Sequence, residues 1–300
     1  MDTRLAALRR FAIAITVLNI LGHSFLGFEQ SPAQPVFSVL LAWSIELVLE
    51  TVQSWGDGRK PRFLGGGIVG FVDFLLPAQI TGLAVAMLLY ANDRLLPILF
   101  ATTIAMCSKA IFTIKQGPAI RHFFNPSNFG ITLTLLLFPS VGITPPYMFT
   151  EGLGVAGSLI LPLFITVSGT YINTKLTGRL PLLLAWISGF TLQALVRHYL
   201  FGTSLLPMLG VMTGVTFVLY TFYMITDPAT TPAAVRGQVA FGLSVGLLYG
   251  VLVMSHIVFG MFFALTIVCF SRGMALLLLP LLEKAKSPAR EEQRVLAAVR

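Results

Sequence analysis

Long apolar stretches, each separated from the next by a few polar residues, fill the sequence up to about residue 282. A helix needs about 20 mostly apolar residues to cross the hydrocarbon core of a bilayer. The candidate stretches are roughly 8–28, 35–54, 65–91, 94–114, 127–142, 152–172, 180–201, 204–226, 236–255 and 257–282. Strands of a membrane barrel would alternate apolar and polar residues, and these stretches do not. The sequence therefore predicts an all-α bundle of about ten transmembrane helices.

The composition leaves little room for a domain outside the membrane. Charged residues make up 11% of the chain, and the mean hydropathy is +0.85. A soluble domain averages about 25% charged residues. We therefore expect residues 1–300 to form one integral membrane domain surrounded by the lipid bilayer, with a basic cytoplasmic tail at 283–300.

Lysine and arginine are distributed unevenly between alternate loops. One side of the predicted bundle has only Arg94 and Arg197. The other side carries Arg4, Arg9, Arg10, Arg59, Lys60, Arg62, Lys115, Arg121, Lys175, Arg179 and Arg236, and the basic tail. Cytoplasmic loops hold the excess of basic residues in membrane proteins. We therefore expect a multi-pass protein of the cell inner (plasma) membrane with both termini in the cytoplasm. This topology accounts for the net charge of +8, so no nucleic acid is expected as a partner.

The third stretch, 65–91, contains a proline and is longer than a straight span needs. About 27 residues at 1.5 Å each exceed a 30 Å core. Pro77 removes a helix hydrogen bond, so we expect a broken helix here. The segment FLLPAQITGLAVAMLLY (74–90) also resembles SLLPMLGVMTGVTFVLY (204–220). An offset of five spans predicts two inverted halves, 1–145 and 146–285, which in membrane proteins often enclose a ligand site.

Acidic residues at membrane depth are candidates for an ion site or a polar-ligand site, because charges there are costly and often functional. Glu46 lies within the second stretch, and Asp73 and Thr81 flank the proline of the third. For Glu46 the alternative is an ion pair with Lys109. For Asp73 the alternative is capping of freed backbone N–H groups. No metal-binding spacing of Cys, His and acidic residues is present, so no metal site is expected.

Two loops on the basic side contain rigid turns. In RHFFNPSNFG (121–130), Asn125, Pro126 and Ser127 are typical of a helix cap and first turn. A helix start presents free N–H groups that suit an anionic or carbonyl-rich ligand, although an ordinary capped turn is the alternative. In MITDPATTPAAVRG (224–237), the Asp-Pro and Thr-Pro pairs predict a second rigid turn.

These segments resemble a known family. SKAIF (108–112), FNPSNFGITLTLLLFP (124–139) and FYMITDPATTPAAVRGQVAFG (222–242) are similar to segments of NqrB, a membrane component of the sodium-pumping NADH:quinone reductase, and of RnfD, its counterpart in the Rnf electron-transport complex. The resemblance covers roughly 65–280. It implies a ten-helix bundle of inverted halves, flavin binding and electron transfer through the membrane. The ligand-side residues that it implies are Lys109, Asn125, Pro126, Ser127, Thr226, Asp227 and Pro228.

One segment departs from the family pattern. Family members that carry covalent FMN attach it to a threonine in an S/T-G-A-T type motif after the fifth span. The corresponding segment, 143–162, contains Thr150 and Ser158 but not that motif. We therefore expect no covalent FMN, and a non-covalent flavin (FMN or riboflavin) as the cofactor.

A closer resemblance within the family suggests a biological role. The DFLLPAQITGLA and PPYMFTEG segments look like those of the UnbU proteins encoded in enediyne antibiotic clusters. This implies a role in natural-product biosynthesis, with other redox or biosynthetic proteins as partners. Two alternatives stay open from the residues alone. One is a transporter or channel for a small solute or natural product, and the other is a membrane scaffold for soluble enzymes.

Overall fold

Helices make up most of the computed structural model, which describes residues 3–116 and 119–298. The α-helices are α1 Thr3–Leu21, α2 Ala33–Gly56, α3 Gly67–Leu88, α4 Leu95–Ile111, α5 Pro126–Leu137, α6 Val155–Tyr171, α7 Leu180–Phe201, α8 Leu205–Gly210, α9 Val215–Leu219, α10 Val235–Met254 and α11 Gly260–Ala298. Single π-helical turns at Gly22–Leu26, Ile172–Leu176 and Tyr220–Met224 extend α1, α6 and α9. Short 3-10 turns lie at Arg62–Leu64, Pro146–Phe149 and Val211–Thr213.

Four short strands lie between the helices and form two antiparallel pairs. β1 (Leu89–Tyr90) pairs antiparallel with β4 (Gly142–Ile143). β2 (Thr113–Gln116) and β3 (Ala119–His122) form an antiparallel hairpin between α4 and α5. The hairpin is extended by the amide of Phe123, which donates to the carbonyl of Phe112 at 3.1 Å.

Seven helical segments within the described residues are long and apolar enough to cross a membrane. They are Leu5–Leu26, Ala33–Gly56, Gly67–Leu88, Val155–Leu176, Leu180–Phe201, Val235–Met254 and Gly260–Leu279. An eighth is a bent pair, Leu205–Thr213 and Val215–Met224. Each predicted stretch contains helix, but α4 and α5 have only 17 and 12 residues. Seven or eight spans therefore have the expected length, and the number ten stays a prediction.

Large apolar side chains face outward along these helices. Ile13, Ile68 and Leu159 are 64%, 85% and 71% exposed. Soluble monomers rarely expose extensive apolar surface, whereas lipid accepts it. The chain is therefore a multi-pass helical membrane protein in a bilayer environment.

The prediction of a broken helix in the third stretch is wrong. α3 continues through Pro77 without interruption and ends at Leu88. Two side-chain hydrogen bonds lie just after the proline. The hydroxyl of Thr81 donates to the carbonyl of Pro77 at 2.8 Å, and the hydroxyl of Ser38 on α2 donates to the carbonyl of Gly82 at 2.8 Å. Membrane helices tolerate proline where neighbouring helices or hydroxyl groups satisfy the freed backbone groups.

The break lies instead in the related stretch, where α8 and α9 are bent by 66°. Gly214 separates them with an extended backbone, at φ −75° and ψ 139°. This conformation ends the 3-10 turn and begins α9 in a new direction.

One end of the bundle is closed by hydrogen bonds between loops. The side chain of Gln30 donates to the carbonyl of Leu89 at 2.7 Å, and the amide of Thr144 donates to the carbonyl of Leu88 at 3.0 Å. The amide of Gly152 donates to the carbonyl of Leu26 at 3.3 Å. These hydrogen bonds connect the loops that follow α1, α3 and α5. The loops after α2, α4, α6 and α9 lie at the other end, called the basic end below.

α7 and α10 pack closely through glycine. A Cβ at Gly242 would lie 2.5 Å from the carbonyl oxygen of Leu182, and a Cβ at Gly246 would lie 2.7 Å from the backbone of Gly189. Small residues allow such close approach between membrane helices. This pair fixes the position of the basic-end loops that precede α7 and α10.

Candidate functional site

The two rigid turns predicted from the sequence meet at the basic end. The side chain of Asn125 donates from Nδ2 to the carbonyl of Met224 at 3.1 Å. Its Oδ1 accepts from the amide of Asn128 and the hydroxyl of Ser127, each at 3.0 Å, so the predicted helix cap is confirmed. Pro126 follows as the first residue of α5, where no amide is needed. One asparagine therefore both starts α5 and fastens it to the segment before Asp227.

The second turn is held by its own polar groups. Asp227 Oδ1 accepts from the amide of Ala229 at 3.0 Å, and the Asp227 carbonyl accepts from the hydroxyl of Thr231 at 2.7 Å. The hydroxyl of Thr226 donates to the carbonyl of Phe222 at 2.7 Å, within its own helical turn. The predicted turn is confirmed, and the carboxylate of Asp227 accepts hydrogen bonds from Ala229 and Thr230 within it.

Glu46 and Lys109 form an ion pair between α2 and α4. Lys109 Nζ lies 3.5 Å from Glu46 Oε2, and the two side chains are only 16% and 19% exposed. The charge of Asp227 also acts on Lys109. The ion pair, which was the alternative to a ligand site at Glu46, is present. Lys109 therefore links this pair electrostatically to the Asp227 turn.

His122, at the end of β3, belongs to the same group of charges. Burial lowers the pKa of its imidazole below the ordinary value, and the charge of Lys109 lowers it further. The charges of Asp227 and Glu46 act in the opposite direction. In the sequence, this histidine stands in RHFFNPSNFG, three residues before Asn125.

Arg179 and Arg272 bind the Asp227 turn, and the sequence did not predict either as a site residue. Arg179, just before α7, donates to the carbonyls of Pro232 at 2.5 Å and Pro228 at 3.2 Å. Arg272, on α11, donates to the carbonyl of Thr230 at 2.9 Å. A single arginine inside the last apolar stretch was an available signal for Arg272, because isolated charges in membrane helices are often functional.

Aromatic rings adjoin the α5 start. Phe124 stacks on Phe129 at 4.3 Å and lies edge-on to Phe112 at 5.2 Å. Phe123, which directly follows β3, and Phe270, on α11, extend the cluster. The start of α5 is therefore surrounded by an apolar, aromatic cluster.

Asp73 and Thr81 have other partners. Asp73 on α3 forms a two-point ion pair with Arg9 on α1, with N–O distances of 2.6 and 2.7 Å. Thr81 donates to its own helix. The structure therefore gives Glu46, Asp73 and Thr81 three different partners and does not join them in one contact network.

The thiol of Cys269, on α11, also lies at this end, where it forms a hydrogen bond with the backbone of Asn125. Cys107 and Cys269 are both free thiols. Within residues 3–116 and 119–298, no group of three or more His, Cys, Asp and Glu side chains is arranged to hold a metal ion.

Comparison with known protein families gives no match for this chain, and no curated protein matches it either.

Proposed function

We propose that this protein is a membrane electron-transfer subunit that binds a non-covalent flavin, FMN or riboflavin, at the basic end. The observation that carries the proposal is the hydrogen bond from Asn125 to Met224, which brings the two segments with family resemblance together across 99 residues of sequence. Segments that resemble a cofactor-binding family are expected to meet where the cofactor binds.

The surroundings suit a flavin. A flavin ring system is flat, aromatic and edged with hydrogen-bonding groups, and it stacks well on rings such as Phe124 and Phe129. Two buried amide oxygens in the first turns of α5 and α10, Asn128 Oδ1 and Gln238 Oε1, have no hydrogen-bond partner among the described residues. Buried polar atoms of this kind normally find a partner, and a ring N–H of a ligand would supply one.

The residues of the chain would act as follows. Lys109, held by its ion pair with Glu46, would offer its remaining N–H groups as hydrogen-bond donors to the ligand. Asn125 and Asp227 hold the two turns in place, and the phenylalanines exclude water. A bound flavin would supply one-electron and two-electron transfer.

The test is a cofactor measurement on protein purified in mild detergent and incubated with FMN or riboflavin. We expect flavin absorbance in the wild type and its loss in Asp227→Asn, which weakens the turn. Asp73→Asn is the matched control, because it removes a carboxylate that pairs with Arg9 instead. If the wild type holds no flavin under any of these conditions, the proposal is wrong.

The same resemblance also suggests where the protein acts and which partners it has. We infer that the protein lies in the plasma membrane with its basic end and both termini in the cytoplasm, in agreement with the excess of arginine and lysine there. Soluble redox or biosynthetic enzymes, including those of enediyne pathways, would then approach from the cytoplasm.

The bend between α8 and α9 favours a second candidate, a transporter or channel for a small polar solute or a natural product. Discontinuous helices line substrate paths in many transporters. Solute flux into proteoliposomes that disappears in Asp227→Asn, together with an absence of flavin, would favour this function over electron transfer.

A further inference from the structure

Two arginines from separate elements bind the turn that follows Asp227, and a third lies within electrostatic range of both. Arg179 precedes α7 and donates to the carbonyls of Pro232 and Pro228. Arg272, on α11, donates to the carbonyl between them, that of Thr230. Arg121 lies on β3, close enough for its charge to act on both other arginines. The loop before α7 and α11 therefore present guanidinium groups to one turn, and the hairpin adds a third positive charge close to them.

No carboxylate neutralises this arginine cluster directly. Within the described residues, every salt bridge belongs to other basic side chains, those of Arg9, Arg59, Arg62 and Lys109. Burial lowers the pKa of Arg179, and the charges of Arg121 and Arg272 lower it further, while Asp227 raises it. Like charges held together away from water repel one another, and a bound anion would relieve that repulsion.

The cluster also has unused hydrogen-bond donors. Arg179 is only 6% exposed, and its buried Nε–H has no hydrogen-bond partner within the described ranges. The side chain of Arg121 makes no hydrogen bond or salt bridge to any described residue. Guanidinium groups match the oxygens of phosphate in paired hydrogen bonds, which makes arginine the preferred residue for binding this group.

We propose that Arg121, Arg179 and Arg272 form a binding site for a phosphate group at the basic end of the bundle. The carboxylate of Asp227 does not fill the site, because it is engaged by the amide of Ala229 and the hydroxyl of Thr230 in its own turn. The phosphate comes either from the headgroup of an anionic lipid or from a soluble phosphate ester. The site does not require that the protein bind flavin.

The first experiment measures thermal unfolding in detergent against inorganic phosphate, with chloride added to keep the ionic strength constant. We expect phosphate to raise the Tm of the wild type. Arg121→Gln should raise the Tm in the absence of phosphate, because it removes repulsion and breaks no side-chain hydrogen bond. The same variant should weaken phosphate binding about tenfold, the usual effect of losing one charged hydrogen bond.

Two further variants serve as controls. Arg236→Gln removes an exposed arginine from the first turn of α10, at the same end, and should respond to phosphate like the wild type. Arg121→Lys keeps the charge and should retain part of the phosphate response. Equal phosphate responses in the wild type, Arg121→Gln and Arg236→Gln would overturn the proposal, because they would reflect general screening of positive charge.

Competition identifies the source of the phosphate. If phosphatidylglycerol in nanodiscs abolishes the response to inorganic phosphate, and phosphatidylcholine does not, the site binds a lipid headgroup. If FMN competes with inorganic phosphate but riboflavin and phosphatidylglycerol do not, the site binds a soluble phosphate ester. Riboflavin lacks the phosphate, so its binding reports on the proposed flavin function separately from the arginine cluster.

Discussion

The two halves of the chain are held together by different interactions. All five salt bridges among the described residues lie in the first half, between residues 9 and 109. In the second half, Arg179 and Arg272 bind backbone carbonyls instead, and α7 meets α10 through Gly242 and Gly246. In the first half, Arg9, Arg59, Arg62 and Lys109 are each paired with a carboxylate. The described arginines of the second half have no salt bridge, and they are joined at the basic end by Arg121 of the first half, so this cluster is the better candidate for binding an anionic ligand.

The two segments with similar sequences, 74–90 in the first half and 204–220 in the second, also differ in structure. α3 continues through Pro77, whereas the segment with Pro207 is broken seven residues later, at Gly214. When the two segments are aligned, Ala84 occupies the position of Gly214. Ala84 favours helix, and Gly214 does not. The glycine, and not the shared proline, therefore distinguishes the broken span from the continuous one.

The largest predicted effect concerns the glycine contact of the second half. Gly246→Leu would force a side chain into the backbone of α7 at Gly189, so we expect a loss of about 3 kcal/mol or failure to fold. The measurement is the midpoint of unfolding by SDS in mixed micelles. Leu247→Phe on the exposed side of α10 is the control and should be near neutral. Equal effects of the two changes would show that the glycines do not hold this pair of helices.

The next effect concerns the ion pairs of the first half. Glu50 is 1% exposed and faces both Arg59 and Arg62, so Glu50→Gln should cost about 2 kcal/mol. Asp57→Asn removes the exposed partner of Arg59 and should cost less than about 0.5 kcal/mol. Unfolding midpoints of both variants test the difference. A cost for Asp57→Asn as large as that for Glu50→Gln would mean that burial does not decide the strength of these pairs.

A third effect tests how the halves are joined at the site. Asn125→Ala removes both the α5 cap and the bond to Met224, so we expect a loss of about 1.5 kcal/mol. Ser127→Ala removes only a bond to Asn125 and should cost about 0.5 kcal/mol. Thermal unfolding measures both, and flavin binding should weaken only in the first variant. A wild-type unfolding midpoint in Asn125→Ala would show that the two segments are held together elsewhere.

Much of this organisation could be predicted from local patterns. Apolar stretches indicate membrane helices, and Asn125-Pro126 indicates a helix start, because both depend on residues adjacent in sequence. The Glu46–Lys109 pair could be named only as an alternative, since pairing of distant charges depends on how helices pack. Arg272 was missed because its partner, the Thr230 carbonyl, is a backbone group that no side-chain pattern reveals. The position of the break was missed because proline is tolerated where neighbours support the helix.

The smallest predicted effect is a pH dependence at His122. Burial holds the pKa of its imidazole below the ordinary value of about 6.5, and the nearby charges are those of Lys109, Asp227 and Glu46. As the pH falls below about 6.5, the unfolded chain therefore takes up a proton that the folded protein resists. Stability should be fully present above this pH and decrease below it, by less than about 1.4 kcal/mol per pH unit.

The measurement is the Tm between about pH 5 and 7.5, compared with His122→Gln, which removes this contribution. His256, in the loop between α10 and α11, is exposed, so His256→Gln should keep the slope of the wild type. An identical slope in the wild type and His122→Gln would mean that the imidazole titrates alike in the folded and unfolded chain. The charges around His122, those of Lys109 and Asp227, would then be exposed to water. Water would screen the positive charge at the basic end, and this end would be no better a binding site for an anion than any other basic surface of the protein.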